Sequence, residues 1–182
     1  MESQYIQQME VAYKLIFQAD QLMTMLWLKY VLYGWRWWIQ ASLSIIPWIL
    51  WFKFNKKDSR DRLLYAGLFV IIISSWFDVL GILFGLWSYY YPVVPFSPAF
   101  VPWDFSLLPV ITMAFLQYKP EINLYLKAVI YAAIGSFIAQ PLFVWMGYYN
   151  SKDWEHYYSF PIFFVIYLIA YRFSVATRFE KL

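Results

Sequence analysis

No cysteine occurs in the 182 residues. Thiol catalysis, disulfides, iron–sulfur clusters and thiolate zinc sites are therefore closed to this chain. A single histidine, His156, removes His-pair zinc motifs and multi-His haem ligation. Six glycines show no phosphate-cradling pattern. Charge is scarce too: 14% of residues are Asp, Glu, Lys or Arg, where soluble domains carry about 25%. The net charge of +3 is modest. Its basic residues gather in particular loops, which is a topology signal, and no nucleic-acid partner is expected. The first residues, Met-Glu-Ser-Gln, are polar, so no cleavable signal is expected. No cofactor or metal site is expected either.

What the chain has is apolar and aromatic surface. Apolar residues make up 63%, and Phe, Trp and Tyr alone 25%. A soluble protein this small has too little interior to hide that surface. A soluble globular enzyme and a disordered chain are both excluded. The class expected is an all-α integral membrane protein.

Residues 1–33 form the first unit. Ile6, Met9, Tyr13, Ile16, Met23, Trp27 and Tyr30 recur at helical spacing, and Gln4, Gln8, Glu10, Lys14, Gln18 and Gln21 take much of the opposite side. Such an amphipathic helix lies on a membrane surface. A sixth span over 11–33 would bury Lys14, Asp20 and Lys29, at about 2.5–3.5 kcal/mol for each midplane charge. Residues 34–182 form the second unit, a transmembrane domain of five spans at about 35–52, 63–87, 103–118, 123–147 and 159–176. The stretch Tyr89 to Pro102 holds Pro92, Pro95, Pro98 and Pro102 without charge, so it reads as a stiff extended loop.

The basic residues orient the domain. Lys53, Lys56, Lys57, Arg60, Arg62, Lys119, Lys127, Arg172, Arg178 and Lys181 fall on one side, and Lys14, Lys29, Arg36 and Lys152 on the other. The larger set belongs inside. The expected location is a bacterial cytoplasmic membrane, with the surface helix and proline loop outside and the C-terminus cytoplasmic.

Polar groups within spans are functional candidates. At about 1.5 Å rise per residue, Asp78 lies about 22 Å and Gln140 about 25 Å from the inner ends of their spans. Arg36 and Gln40 open span one, and Asp104 opens span three. These groups share one level, which points to an outward-facing pocket lined by Asp78, Asp104, Gln140, Gln40 and Arg36 and walled by Trp76, Trp103 and Trp145. Arg36 matches Asp78 in depth and sign. Each residue also has a plain structural role open to it. Asp78 can lock helices together, and Asp104 can cap free N–H groups at a helix start. Gln140 can satisfy the carbonyl that Pro141 leaves unbonded, and His156 can be a solvated loop residue. A triad of His156 with Ser159 or Ser106 has no support in the spacing.

Several strings carry a resemblance. They are Trp35-Arg36-Trp37-Trp38 with Ile45-Ile46-Pro47-Trp48-Ile49, and Trp103-Asp104-Phe105-Ser106-Leu107-Leu108-Pro109-Val110 with Gln117-Tyr118. Further on stand Gln140-Pro141-Leu142-Phe143-Val144-Trp145 and Tyr158-Ser159-Phe160-Pro161-Ile162. Over about residues 35–172 the chain resembles an uncharacterised family of small multi-spanning membrane proteins of spore-forming Firmicutes, the bacilli and clostridia. The family pattern often has Glu at the position of Gln140. An acid–base role there is then not kept in this chain, whereas a hydrogen-bonding role is. The resemblance implies architecture and host class, and no activity. In helix count and tryptophan content the chain is also similar to the tryptophan-rich sensory/translocator proteins, an analogy about ligand type only.

Three functions fit this reading. The first is binding or transport of a small or lipid-like ligand in the outward pocket. The second is a non-enzymatic subunit of an envelope complex, with a membrane-protein partner or a second copy of the chain. The third is an intramembrane enzyme acting on lipid, with Asp78 and Asp104 as acid and base. Membrane lipid is a partner in all three.

Overall fold

The computed structural model describes residues 2–95 and 99–176. Pro98 of the proline loop and the basic tail from 177 to 182 lie outside the described residues. The chain is all-α. Its helices are α1 (Glu2–Tyr30), α2 (Trp35–Phe54), α3 (Arg60–Leu83), α4 (Trp103–Gln117), α5 (Leu124–Trp145) and α6 (His156–Ser174). Two short strands, β1 (Ser88–Tyr89) and β2 (Tyr149–Asn150), pair antiparallel with Ser88 opposite Asn150. By length and composition α3 with the turn before it, α5 and α6 are able to cross a membrane; α4 is apolar but shorter.

The bundle is built around α3, which packs on both α4 and α6, while α6 packs on α5. Small residues let these helices approach closely: Ala66, Ala128, Ala132 and Ala170 are fully buried among Val70, Met113 and Tyr167. α2 flanks the first turn of α4. α1 buries none of its residues.

Two helices stop at glycines, and this positions the site. α3 ends at Leu83, short of the expected Trp87, because Gly85 takes φ +69°. The Leu86 N–H donates to the Gly81 carbonyl (2.8 Å) and the Gly85 N–H to the Ile82 carbonyl (3.0 Å), the double bond pattern of a glycine-terminated helix. α5 stops in the same way at Gly147, φ +74°, with the Tyr148 N–H on Phe143 and the Gly147 N–H on Val144. One end leads into β1 and the other into β2, so the two glycine-terminated helices are joined by a strand pair.

Prolines shape α4 and α5. Each carries a five-residue π turn, Trp103–Leu107 and Gly135–Ala139, ending just before Pro109 and Pro141 respectively. The Leu108 N–H reaches back five residues to Trp103 and the Gln140 N–H to Gly135. The wider turn makes room for a proline ring that would otherwise meet the carbonyl four residues earlier. In α4 that carbonyl is Phe105, and the Trp48 indole N–H of α2 takes it at 2.7 Å.

Candidate functional site

The site lies where α3, α4, α5 and α6 meet β1 and β2. Asp78 comes from the last turns of α3 and Asp104 from the π turn that opens α4. They are 5% and 1% exposed. Their carboxyls face each other within hydrogen-bonding reach. Both accept the same backbone N–H, that of Phe100: 3.1 Å to Asp78 Oδ2 and 2.9 Å to Asp104 Oδ2. The Tyr89 hydroxyl donates to Asp78 Oδ1 at 2.7 Å. Asp104 thus takes the N–H of a residue four positions upstream of it, and Asp78 from another helix shares that N–H.

The chain after β1 makes this possible. The Phe100 ring stacks on Tyr89, with centroids 4.4 Å apart and planes 4° apart. That stack fixes the loop so that the Phe100 N–H points at the two carboxyls. Trp87, Phe143, Tyr148 and Tyr149 complete a buried aromatic cluster around it. Burial, with the carboxyls of Asp78 and Asp104 adding to it, pushes the Tyr89 phenol well above its ordinary value. Burial also raises Tyr149 strongly, with Asp78 again contributing. Both phenols therefore stay neutral donors at any ordinary pH.

Beside the carboxyls is a cavity of about 50 Å³. Asp78, Asp104, Gln140, Trp103 and Ser159 are among its lining residues, and among the described residues no Lys, Arg or His lines it. Ser159 Oγ accepts from Gln140 Nε2 and from Trp154 Nε1, both at 2.9 Å. Gln140 Oε1 is buried without a partner, and the Trp87 indole N–H lies within hydrogen-bonding reach of the Asp78 carboxyl.

Of the residues expected in the pocket, Asp78, Asp104, Gln140 and Trp103 are brought together. Arg36 does not reach Asp78. Its guanidinium lies 4.4 Å over the Tyr91 ring and 5.1 Å from the Trp35 ring. Gln40 is fully buried with both amide atoms unpartnered, but it lies outside the cavity lining. Trp76 and Trp145 do not form walls: they are 61% and 82% exposed and face away from the bundle. Trp87 and Trp154, in an edge-on pair at 5.1 Å, stand there instead. Gln140 bonds Ser159 of α6 and not a carbonyl freed by Pro141. His156 is the first residue of α6, half-buried, and makes no hydrogen bond to Ser159.

Sequence reasoning missed Trp87, Tyr89 and Trp154. The signal for the first two is Gly85, which ends α3 early and returns the chain over the carboxyl pair. Among the described residues no group of three or more His, Cys, Asp or Glu side chains is placed to hold a metal ion. Comparison with protein-family models, curated proteins and solved structures gave no match.

Proposed function

We propose that the chain is a five-span membrane protein that binds a small cationic solute in the cavity beside Asp78 and Asp104. In this reading α2 and α4 join α3, α5 and α6 as spans. α2 has 20 residues, which at about 1.5 Å each reach about 30 Å. Among the described residues, Lys53, Lys56, Lys57, Arg60, Arg62, Lys119, Lys127 and Arg172 fall at the end opposite the β1–β2 pair, which supports that pair facing outward. α1 lies on the outer surface, where lipid takes up the apolar side chains that the bundle leaves bare.

The observation that carries the ligand class is the carboxyl pair itself. Two acids from two helices share one N–H donor, and no basic side chain lines the cavity. Two such groups at contact cannot both stay charged and unpaired in an apolar bundle. A proton between them satisfies the empty site, and a cation displaces it. The volume supports a small solute: about 50 Å³ holds a few water-sized groups and no lipid chain. The ring faces of Trp87, Trp103 and Trp154 suit an ammonium group.

The test is calorimetric titration of methylammonium into the purified chain in nanodiscs. Saturable binding accompanied by proton release is expected. Asp78→Asn should weaken it at least about tenfold while unfolding midpoints stay near wild type. An unchanged affinity in the variant, or no saturable binding by the wild type, overturns the reading.

A second reading, a subunit of a membrane complex, is favoured by α1 alone, whose 29 residues include no buried side chain. Co-purification of a stoichiometric partner that is lost when Tyr5, Ile16 and Met23 become Ser would support it. A clean monomer in mild detergent counts against it.

A further inference from the structure

A second cavity, of about 760 Å³, lies between the C-terminal part of α1 and the chain that follows β1. Met23, Leu26 and Trp27 form one wall, and Tyr91 and Pro92 the other. Two indoles hold the far wall by its backbone: Trp27 Nε1 donates to the Pro92 carbonyl at 2.8 Å and Trp37 Nε1 to the Val93 carbonyl at 3.0 Å. The wall is thus fixed at both points, and the space between is a built groove.

Its lining contains a cation and no carboxylate. Arg36 projects into it from the first turn of α2, held against the Tyr91 ring, with Nε buried and unpartnered. A guanidinium held against an aromatic ring loses little further freedom on binding, and its planar fork of donors matches a phosphate. The rest of the groove is apolar and flanked by Trp and Tyr, the residues that sit at the headgroup level of a bilayer.

We propose that this groove binds an anionic phospholipid, with its phosphate on Arg36 and an acyl chain along Met23, Leu26 and Trp27. A one-cation, otherwise apolar groove is matched in charge by a lipid carrying one net negative charge. The lipid then closes the gap between α1 and the bundle, which the protein's own side chains leave open. The inference rests on the membrane placement proposed above and not on the cation site.

Native mass spectrometry of the full chain released from detergent provides the test, with phosphatidylglycerol, diacylglycerol and inorganic phosphate as probes. The wild type should retain phosphatidylglycerol, and Arg36→Gln should lower retention at least about tenfold. Met23 is more than half exposed on a helix that buries none of its residues, so Met23→Glu leaves the fold intact. It should lower retention as well, by placing charge where the acyl chain runs. Asp78→Asn should retain lipid like the wild type, which separates this groove from the cation site. The proposal is overturned if both Arg36→Gln and Met23→Glu keep the lipid, if diacylglycerol is held as well as phosphatidylglycerol, or if inorganic phosphate displaces the lipid.

Discussion

The two ends of the bundle treat polar groups in opposite ways. At the end that carries the loop between α2 and α3, several polar side chains take near or backbone partners, and Trp51 Nε1 is a buried atom left without one. Asn55 Nδ2 donates to the Trp51 and Phe52 carbonyls, Gln117 accepts from the Lys56 N–H, and Lys127 Nζ donates to the Tyr118 carbonyl at 2.8 Å. Asn123 caps α5 through the Tyr125 and Leu126 N–H groups. At the β1–β2 end the polar groups are buried and reach across helices. Gln40, Gln140 and Tyr148 each leave a buried atom unpartnered there. Orphaned buried donors and acceptors are costly, at about 1–3 kcal/mol each, and are rare without a reason. Most of these unpartnered atoms gather at the β1–β2 end, which keeps capacity to bind something.

The largest effect that separates the ends is steric. Gly81 and Gly67 both lie on the buried side of α3. A Cβ on Gly81 would stand 1.9 Å from the Trp87 ring, which is pinned by Trp154 and cannot retreat. On Gly67 it would meet the Met113 sulfur at 2.7 Å, the flexible part of an adaptable side chain. Gly81→Ala should therefore cost about 3 kcal/mol or more and Gly67→Ala about 1 kcal/mol. Thermal unfolding in detergent measures both, and the near-UV circular dichroism of the tryptophan pair should collapse only in Gly81→Ala. Equal losses would mean that Trp87 is not held as described.

How much of this contrast is legible in the sequence depends on the kind of residue. The depth count along each helix puts Asp78, Asp104 and Gln140 at one level, and the structure joins them, because a helix carries its side chains at a fixed rise. The count carries no rotational information. Trp76 stands two residues from Asp78, about 200° around the helix, and Trp145 stands on an exposed face near the end of α5. Arg36 has the right depth and sign but is drawn to Tyr91, a residue whose position depends on how the proline loop folds back. The Phe100 N–H has no sequence signature at all, since a backbone donor is the same at every position. The buried Thr112–Tyr131 hydroxyl pair, 2.8 Å apart, lies between α4 and α5 and was equally invisible, because neither residue is charged.

A smaller effect tests whether the carboxyls act as one unit. Asp78→Ala leaves the Phe100 N–H to Asp104, and Asp104→Ala leaves it to Asp78. Either change also relieves the contact between the two acids. Asp104→Ala should then lose little, about 1 kcal/mol, and Asp78→Ala about 1–3 kcal/mol because it also strands the Tyr89 hydroxyl. The double variant strands the Phe100 N–H in addition and should exceed the sum by about 1–2 kcal/mol. A double-mutant cycle by denaturant unfolding reads the excess directly. Additive losses would make the two aspartates independent helix locks and remove the physical basis of the cation site.

The smallest effect is one of alkalinity, and it isolates the β1–β2 end by a group that titrates there. Folding raises the Tyr89 phenol well above its unfolded value of about 10, so the folded chain holds this proton where the unfolded chain gives it up. Where the folded state binds more protons, stability falls as pH rises. The contribution of Tyr89 is thus whole below about pH 10 and is lost progressively above it. Tyr149 is shifted in the same direction and adds to the slope. Tyr90, two residues past Ser88, is exposed and shifted the other way by hydrogen bonds to Asn150 and Ser88, so it ionises first and reports solvent contact alone. Tyr89→Phe should cost about 1 kcal/mol at neutral pH through the lost bond to Asp78, and should flatten the fall in stability above about pH 10. Unfolding midpoints from pH 8 to 11, read against phenolate absorbance, check both. An unchanged slope in Tyr89→Phe would mean that the alkaline sensitivity arises elsewhere in the bundle. The contrast between the ends would then rest on packing around Trp87 and not on the hydrogen bond that Tyr89 gives to Asp78.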